Sequence, residues 1–283
     1  MALELDHGCA VITGGGGLLG RGLALAFARR GAGVVLADLN QAAAGAVAAE
    51  VTATVPGARA LAVVADVTDR ASMDALAEAA RAAYGEVRVL CNNAGVSVLR
   101  PFAELTEQDW DRVLGVQLRG VLNGTYAFLP GMIEQPGRSH IVNTSSMSGV
   151  GRADLRLLNA PYVTAKFAVS GLSELMRPAL AEYDIGVSVL CPGFTRADPD
   201  SVTSFPMPSA DWYRDNLLNP HQVAQETIAG ILEDRLHIFP HRAGRQEVID
   251  RHQLLLAGFD AAEATSPPLR PPASRPGQGE YQR

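Results

Sequence analysis

Gly8-Cys9-Ala10-Val11-Ile12-Thr13-Gly14-Gly15-Gly16-Gly17-Leu18-Leu19-Gly20 decides how the rest of the chain is read. Residues 8 to 13 form a short apolar run of the kind that makes a buried strand. The run passes directly into a glycine-rich turn, and Arg21 to Arg30 then repeats apolar residues at helical spacing. Strand, glycine turn and helix in that order make a phosphate cradle. Glycine lets the backbone come close, and the free N–H groups and positive dipole end of the helix attract an anion. Gly14, Gly17, Leu18, Leu19 and Gly20 are therefore candidate cofactor-binding residues.

Moving outward, Gly33 to Ala37 predicts a second strand, ending at Asp38, eighteen residues past Gly20. A carboxylate at that tip, followed by Leu39, can accept both ribose hydroxyls of an adenosine and repels a 2′-phosphate. NAD(H) is therefore expected over NADP(H). An alanine-rich helix is predicted from Gln41 to about Thr54 and a third strand from Leu61 to Ala65, with Asp66 and Val67 at its carboxyl end. Ser72 to Tyr84 reads as a helix and Val87 to Leu90 as a fourth strand, which runs into Cys91-Asn92-Asn93-Ala94-Gly95. Such alternation predicts an α/β fold: a doubly wound, Rossmann-type parallel sheet in three layers, as a single domain.

Composition agrees. With 283 residues, 47% hydrophobic and 19% charged, the chain can bury one large core without a second domain. That domain is expected over residues 1–263. The segment 264–283, with Pro267-Pro268, Pro271-Pro272 and Pro276, cannot pack a core and is expected to be disordered or docked on a partner subunit. A net charge of −6 and a pI near 5.5 give no footprint for nucleic acid or an anionic membrane, so a small-molecule partner is favoured. The N-terminal stretch has neither a basic flank nor a long apolar core, so no signal peptide or anchor is expected and the location should be cytoplasmic. Cys9, Cys91 and Cys191 lie far apart beside β-branched runs and read as small core residues. His237-x-x-x-His241 falls on strand and turn, where positions i and i+4 do not share a face, so no metal site is expected.

Ala160-Pro161-Tyr162-Val163-Thr164-Ala165-Lys166 opens an apolar run to about Tyr183 that predicts a helix, with proline in its first turn. Tyr162 and Lys166, at i and i+4, point off one face. A phenol ionises near pH 10 unless a fixed cation favours the phenolate, and Lys166 is spaced to be that cation. The Ser145-Ser146 pair ends the run 140–144, which reads as a buried strand. Alone, such a Tyr–Lys pair is common by chance.

Taken together, the glycine turn after Thr13, Asp38, Asp66-Val67, Asn92-Asn93-Ala94-Gly95, Ser146, Tyr162-x-x-x-Lys166 and Pro192-Gly193 resemble the short-chain dehydrogenase/reductase family, over about residues 5 to 260. The resemblance implies reversible hydride transfer between NAD(H) and a carbonyl or secondary alcohol. Ser146, Tyr162 and Lys166 would be catalytic. Asp66, Val67, Asn93, Ala94, Gly95, Pro192, Gly193 and Thr195 would join Tyr162 and Lys166 in holding the cofactor. It also implies a homodimer or homotetramer, with the helix predicted over Trp110 to Pro130 at the subunit interface. Gln117 stands where the family carries an Asn that links the catalytic Lys to solvent through a water, and is expected to keep an altered relay.

The sequence departs from the family in two further places. Leu18 occupies a position that is commonly glycine, and Ala197 one that is commonly threonine. The connection from Ser146 to Tyr162 is longer than usual and holds Ser148, Leu155, Leu157 and Leu158. It either walls a substrate pocket or packs on its own helix. The segment Phe194 to Leu218, with Phe205, Met207, Trp212 and Tyr213, reads as a substrate lid whose aromatics would suit a bulky or aromatic substrate, or as a short helix packed on the body. Beyond it, a helix (219–234), a short strand (236–239) and a last helix (247–259), whose Leu254, Leu255 and Leu256 are expected to complete the fold, finish the domain. The alternative function is a member of the family that binds nucleotide and substrate without net redox.

Overall fold

Seven strands form one sheet in the order β3-β2-β1-β4-β5-β6-β7, all of them parallel. The computed structural model describes residues 3–153, 158–195, 217–242 and 244–263. The strands are β1 (Cys9–Thr13), β2 (Gly33–Asp38), β3 (Ala60–Val64), β4 (Val87–Asn92), β5 (Ser139–Thr144), β6 (Ile185–Leu190) and β7 (His237–Ile238). The helices are α1 (Leu18–Ala28), α2 (Gln41–Thr54), α3 (Arg70–Tyr84), α4 (Glu107–Leu114), α5 (Gly120–Glu134), α6 (Ala160–Leu180), α7 (Pro220–Leu232) and α8 (Arg245–Glu263).

Parallel strands buried on both faces must read as continuous apolar runs, because helices cover both sides. β1, β4, β5 and β6 are buried at every residue. One core lies between the sheet and α1, α2 and α7, built on Phe27, Leu23, Leu36 and Ile231. The other lies under α3, α5 and α6, built on Met73, Leu76, Met132 and Ile141. Each such side chain, fully buried, contributes roughly 1.5–3 kcal/mol. All three cysteines are free and buried, Cys9 in β1, Cys91 in β4 and Cys191 just past β6.

Local signals set the helix starts. Asn40 Oδ1 accepts from Ala43 N at 3.1 Å, and Asp69 caps α3 through the N–H groups of Ala71 and Ser72. Thr106 and Asp109 form a reciprocal capping box at α4, worth about 1 kcal/mol.

The structure departs from the sequence reading in three places. α1 begins at Leu18 rather than at Arg21, so Leu18 and Leu19 lie in its first turn. The helix predicted over Trp110 to Pro130 is α4, a π turn at Gly115–Arg119, and α5, with Pro130 inside the helix. A π turn adds a residue to one helical turn and re-aims the side chains on it. Lastly, Leu254, Leu255 and Leu256 do not complete the fold: they lie 58%, 52% and 60% exposed on α8. No described helix is long and apolar enough to cross a membrane. The segment 264–283 lies outside the described residues, as do Leu155, Leu157, Ala197, Phe205, Met207, Trp212 and Tyr213.

Candidate active site

β1 has β2 on one side and β4 on the other. A parallel sheet whose chain runs outward both ways from one strand opens a crevice at its carboxyl edge there, and ligands bind in it. The glycine turn, Asp38 and Asn93-Ala94-Gly95 all leave strands at this edge.

The turn is shaped by close approach. Gly14 has φ +65, and a Cβ there would lie 2.9 Å from Ala94 Cα. A Cβ on Gly20 would collide with the carbonyl oxygen of Gly14. Gly17 stands at the N-cap of α1, and its lack of a side chain leaves the helix end without a side-chain cap, so its first N–H groups remain for an anion. Asp38 braces the same turn: its carboxylate accepts from Gly16 N at 3.0 Å and from Asn40 N at 2.9 Å. Each carboxylate oxygen has a second lone pair for a hydroxyl. Leu39 beside it is exposed. A backbone cradle, an uncapped helix end and a carboxylate at the next strand tip fit a dinucleotide.

Thr13 organises the facing wall, which the sequence reading did not single out. Its Oγ1 accepts from Asn93 N at 2.9 Å and Ala94 N at 3.0 Å, while Asn93 Nδ2 donates to Thr13 O at 3.0 Å. The signal was a hydroxyl at the tip of β1 and an Asn pair at the tip of β4, but only strand order makes those tips neighbours. Asp66 Oδ1 accepts from the backbone and hydroxyl of Thr68 at 2.8 and 2.7 Å, and Asn123 Nδ2 holds Val67 O at 2.8 Å.

β5 delivers the serine pair, and the structure separates its members. Ser145 turns into α6, donating to Lys166 O at 2.9 Å and meeting Ser170 Oγ at 2.8 Å. Ser146 starts the next turn, where its Oγ accepts from Ser148 N at 3.1 Å. Ser148 thus acts on Ser146 through its backbone. Met147 N donates to Pro192 O at 3.0 Å, tying the Pro192-Gly193 turn to the same loop. Thr195 Oγ1 donates to Gly193 O at 3.3 Å, and Thr195 bridges Leu218, so both ends of the expected lid meet.

α6 carries Tyr162 and Lys166 to this loop. Lys166 is 3% exposed and its Nζ donates to Thr144 O at 2.6 Å, 5.3 Å from the centre of the Tyr162 ring. Burial pushes the Lys166 ammonium down to about 7, partly opposed by Cys191. Burial pushes the Tyr162 phenol up, opposed by a hydrogen bond with Ser146. In the protein alone, the hydrogen bond with Ser146 is what opposes the rise of the phenol.

Gln117 sits on the π turn, 2% exposed. Its Nε2 donates to Val96 O at 2.7 Å, and its buried Oε1 has no hydrogen-bond partner among the described residues. Its amide therefore holds the segment after β4, which the sequence did not foretell. That segment is also fixed to the start of α6 by Arg100 N on Leu158 O at 2.8 Å and Ser97 Oγ on Asn159 Oδ1 at 3.0 Å. His237 and His241 part company: His237 meets Glu174 at 3.2 Å, while His241 lies against Gly193.

A family model described as short chain dehydrogenase matches residues 8–204. The chain belongs to the short chain dehydrogenase family. This short chain dehydrogenase is 32% identical over 260 residues to the C alpha-dehydrogenase of Sphingobium sp., a match covering 86% of the chain and 83% of that protein. It is 38% identical over 200 residues to the probable oxidoreductase EphD of Mycobacterium tuberculosis, over 71% of the chain and 33% of that protein. The chain thus matches about a third of EphD's length. A solved short chain dehydrogenase/reductase of Burkholderia phymatum in complex with NAD is 32% identical, with TM-score 0.78 over 95% of this chain and 99% of that one. The fold expected from the sequence is borne out, and these oxidoreductase names do not favour a non-redox member.

Proposed function

We propose that this short chain dehydrogenase is an NAD(H)-dependent oxidoreductase interconverting a secondary alcohol and a ketone on a bulky or aromatic small molecule. The observation that carries the reading is the hydrogen-bonded Ser146–Tyr162 pair with buried Lys166 behind the ring, beside the dinucleotide cradle. Bound NAD(H) supplies or takes the hydride. In reduction, Tyr162 gives its proton to the substrate oxygen and Ser146 hydrogen-bonds that oxygen as charge develops on it. In oxidation the phenolate takes the hydroxyl proton back. Lys166, held on Thr144, favours the phenolate when charged. The Oε1 of Gln117, without a hydrogen-bond partner among the described residues, offers an acceptor for a proton relay behind it.

Gly14, Gly17, Leu18, Leu19 and Gly20 would hold the pyrophosphate, and Asp38 the adenosine ribose in preference to a 2′-phosphate. Asp66, Val67 and Asn93 to Gly95 would line the adenine and nicotinamide sides, and Pro192, Gly193 and Thr195 the carboxamide. Support for a bulky apolar substrate comes from Leu99 and Phe102, 40% and 70% exposed, on the segment pinned to Leu158 and Asn159.

The test mixes purified protein with NAD or NADP and a panel of bulky secondary alcohols, following NADH absorbance. Turnover with NAD and an aryl carbinol supports the reading. Ligand binding with no absorbance change for any alcohol or ketone overturns it.

A further inference from the structure

Two walls of the active site are tied to each other close to Tyr162. One wall is the segment that leaves β4 past Gly95. The other is Leu158-Asn159, which leads into α6 and ends three residues before Tyr162. Arg100 N donates to Leu158 O at 2.8 Å, and Ser97 Oγ donates to Asn159 Oδ1 at 3.0 Å. On its far side the first wall is anchored by the Gln117 amide on Val96 O at 2.7 Å.

Asn159 stands at the N-cap of α6, where an asparagine ordinarily turns its side-chain oxygen onto the N–H of the second or third helical residue. It makes no such bond, and its ψ of 40 lies outside the extended region that an N-cap ordinarily takes. The contrast lies within this chain, because Asn40 and Asn219 cap their helices through the side-chain oxygen. Pro161 supplies part of the reason: as the second helical residue it has no N–H to offer. The helix thus forgoes a cap worth about 1 kcal/mol, and the Asn159 side chain crosses to Ser97 instead. Val163 N still donates to Asn159 O at 3.0 Å. Whatever displaces Asn159 therefore displaces the turn of α6 that carries Tyr162.

We propose that Asn159 and Ser97 are positioning residues that set the Tyr162 phenol against the nicotinamide side of the crevice. This rests on the reading of Tyr162 as the proton donor. The backbone bond from Arg100 fixes one point of the second wall, and a single point leaves the start of α6 free to swing about it. A second bond, one residue nearer Tyr162, removes that freedom. Both residues act through the phenol rather than on the reacting atoms. Proton transfer needs the phenol within hydrogen-bond reach of the substrate oxygen, and a misplacement of about 1 Å can lower a rate about 100-fold. Loss of one exposed hydrogen bond shifts the helix start by less, so a fall of about tenfold in kcat is expected.

The test compares Ser97→Ala, Asn159→Ala, the double variant and Asn159→Asp, which keeps the acceptor oxygen, all in the full chain. Three quantities are measured: kcat with NAD and an aryl carbinol, NADH affinity by fluorescence, and backbone hydrogen exchange by mass spectrometry. Each alanine variant should lose about tenfold in kcat and keep NADH affinity within about twofold. Exchange should quicken over 160–166 and stay as in wild type over 167–180. The double variant should be no slower than the worse single, since both remove one bond, and Asn159→Asp should keep the larger part of kcat. Unchanged exchange over 160–166 in both alanine variants overturns the proposal. So does faster exchange there with wild-type kcat, or a double variant whose loss is the product of the two singles. Faster exchange along all of α6 with weakened NADH binding makes the pair a general brace and overturns it too. A wild type inactive on every alcohol and ketone sinks the redox reading instead, and exchange alone then decides whether the pair holds the start of α6.

Discussion

Lys166 Nζ donates to the carbonyl oxygen of Thr144 at 2.6 Å, tying the cation of α6 to the end of the strand that delivers Ser146. The ammonium is buried and held down at about 7, below its ordinary value, so the folded chain disfavours the proton. That penalty is complete below about pH 7 and fades as pH rises toward 10.5. Lys166→Met should therefore flatten the rise in stability between pH 7 and 9. At pH 7 it should unfold no more easily than wild type, although Thr144 loses a partner worth about 1–3 kcal/mol. Turnover should fall about 100-fold or more. Urea unfolding at both pH values, with steady-state rates, reads this. A variant clearly less stable at pH 7 would show that the hydrogen bond outweighs burial.

Tyr162 is pushed above the ordinary phenol range by burial, so it stays protonated at neutral pH. Ketone reduction should hold its rate at neutral pH and fall at alkaline pH, whereas alcohol oxidation should climb with pH. Tyr162→Phe should lose nearly all turnover and keep NADH binding by fluorescence. Activity surviving in that variant, or matching pH profiles in both directions, assigns the proton to another group.

Asp38 accepts two backbone N–H groups of the turns it braces, and its charge would repel a 2′-phosphate. Asp38→Ala should narrow the preference for NAD over NADP, by about tenfold in kcat/KM, and loosen the glycine turn. A wild-type protein faster with NADP than with NAD contradicts this assignment.

Gln117 holds Val96 at 2.7 Å through one atom of its amide and keeps the other buried, with no hydrogen-bond partner among the described residues. Gln117→Ala should lower kcat more than cofactor affinity. Gln117→Asn, a methylene shorter, should retain the larger part of kcat. If Gln117→Ala matches wild type in kcat and pH profile, the relay is elsewhere.

His140 tests the core rather than the chemistry. Its Nε2 meets Ser188 Oγ at 2.8 Å, and Ser188 in turn donates to Arg235 O at 2.5 Å, so the ring is a neutral donor. Burial holds it down at about 3, opposed by Asp234 and assisted by Arg138 and Arg177. The folded value lies below the unfolded one near 6.5, so stability present above pH 6.5 is lost as pH falls toward 3, on the order of 5 kcal/mol in all. His140→Gln should show a shallower loss between pH 6.5 and 4 by chemical denaturation. An unchanged slope places the acid sensitivity on other groups.

The alternation of strands and helices, the parallel sheet and the placing of Tyr162 and Lys166 on one helix were legible in the sequence because each is written locally. Apolar runs bounded by glycine set β1 to β6, and a proline in the first turn with i, i+4 spacing set Tyr162 and Lys166 on one face. The ligand crevice follows from the same pattern.

Other features rest on residues far apart in the chain. Nothing local tells Ser145 from Ser146: which hydroxyl turns into α6 depends on how that helix lies across β5. Thr13 meets Asn93 and Ala94 only because strand order sets β1 beside β4. The π turn at Gly115–Arg119 follows no residue pattern, and it decides that the Gln117 amide holds Val96. The opposed shifts of Tyr162 and Lys166 come from burial, which a sequence does not record. The leucines of α8 look like core residues by composition, and only the path of the helix away from the sheet leaves them in solvent.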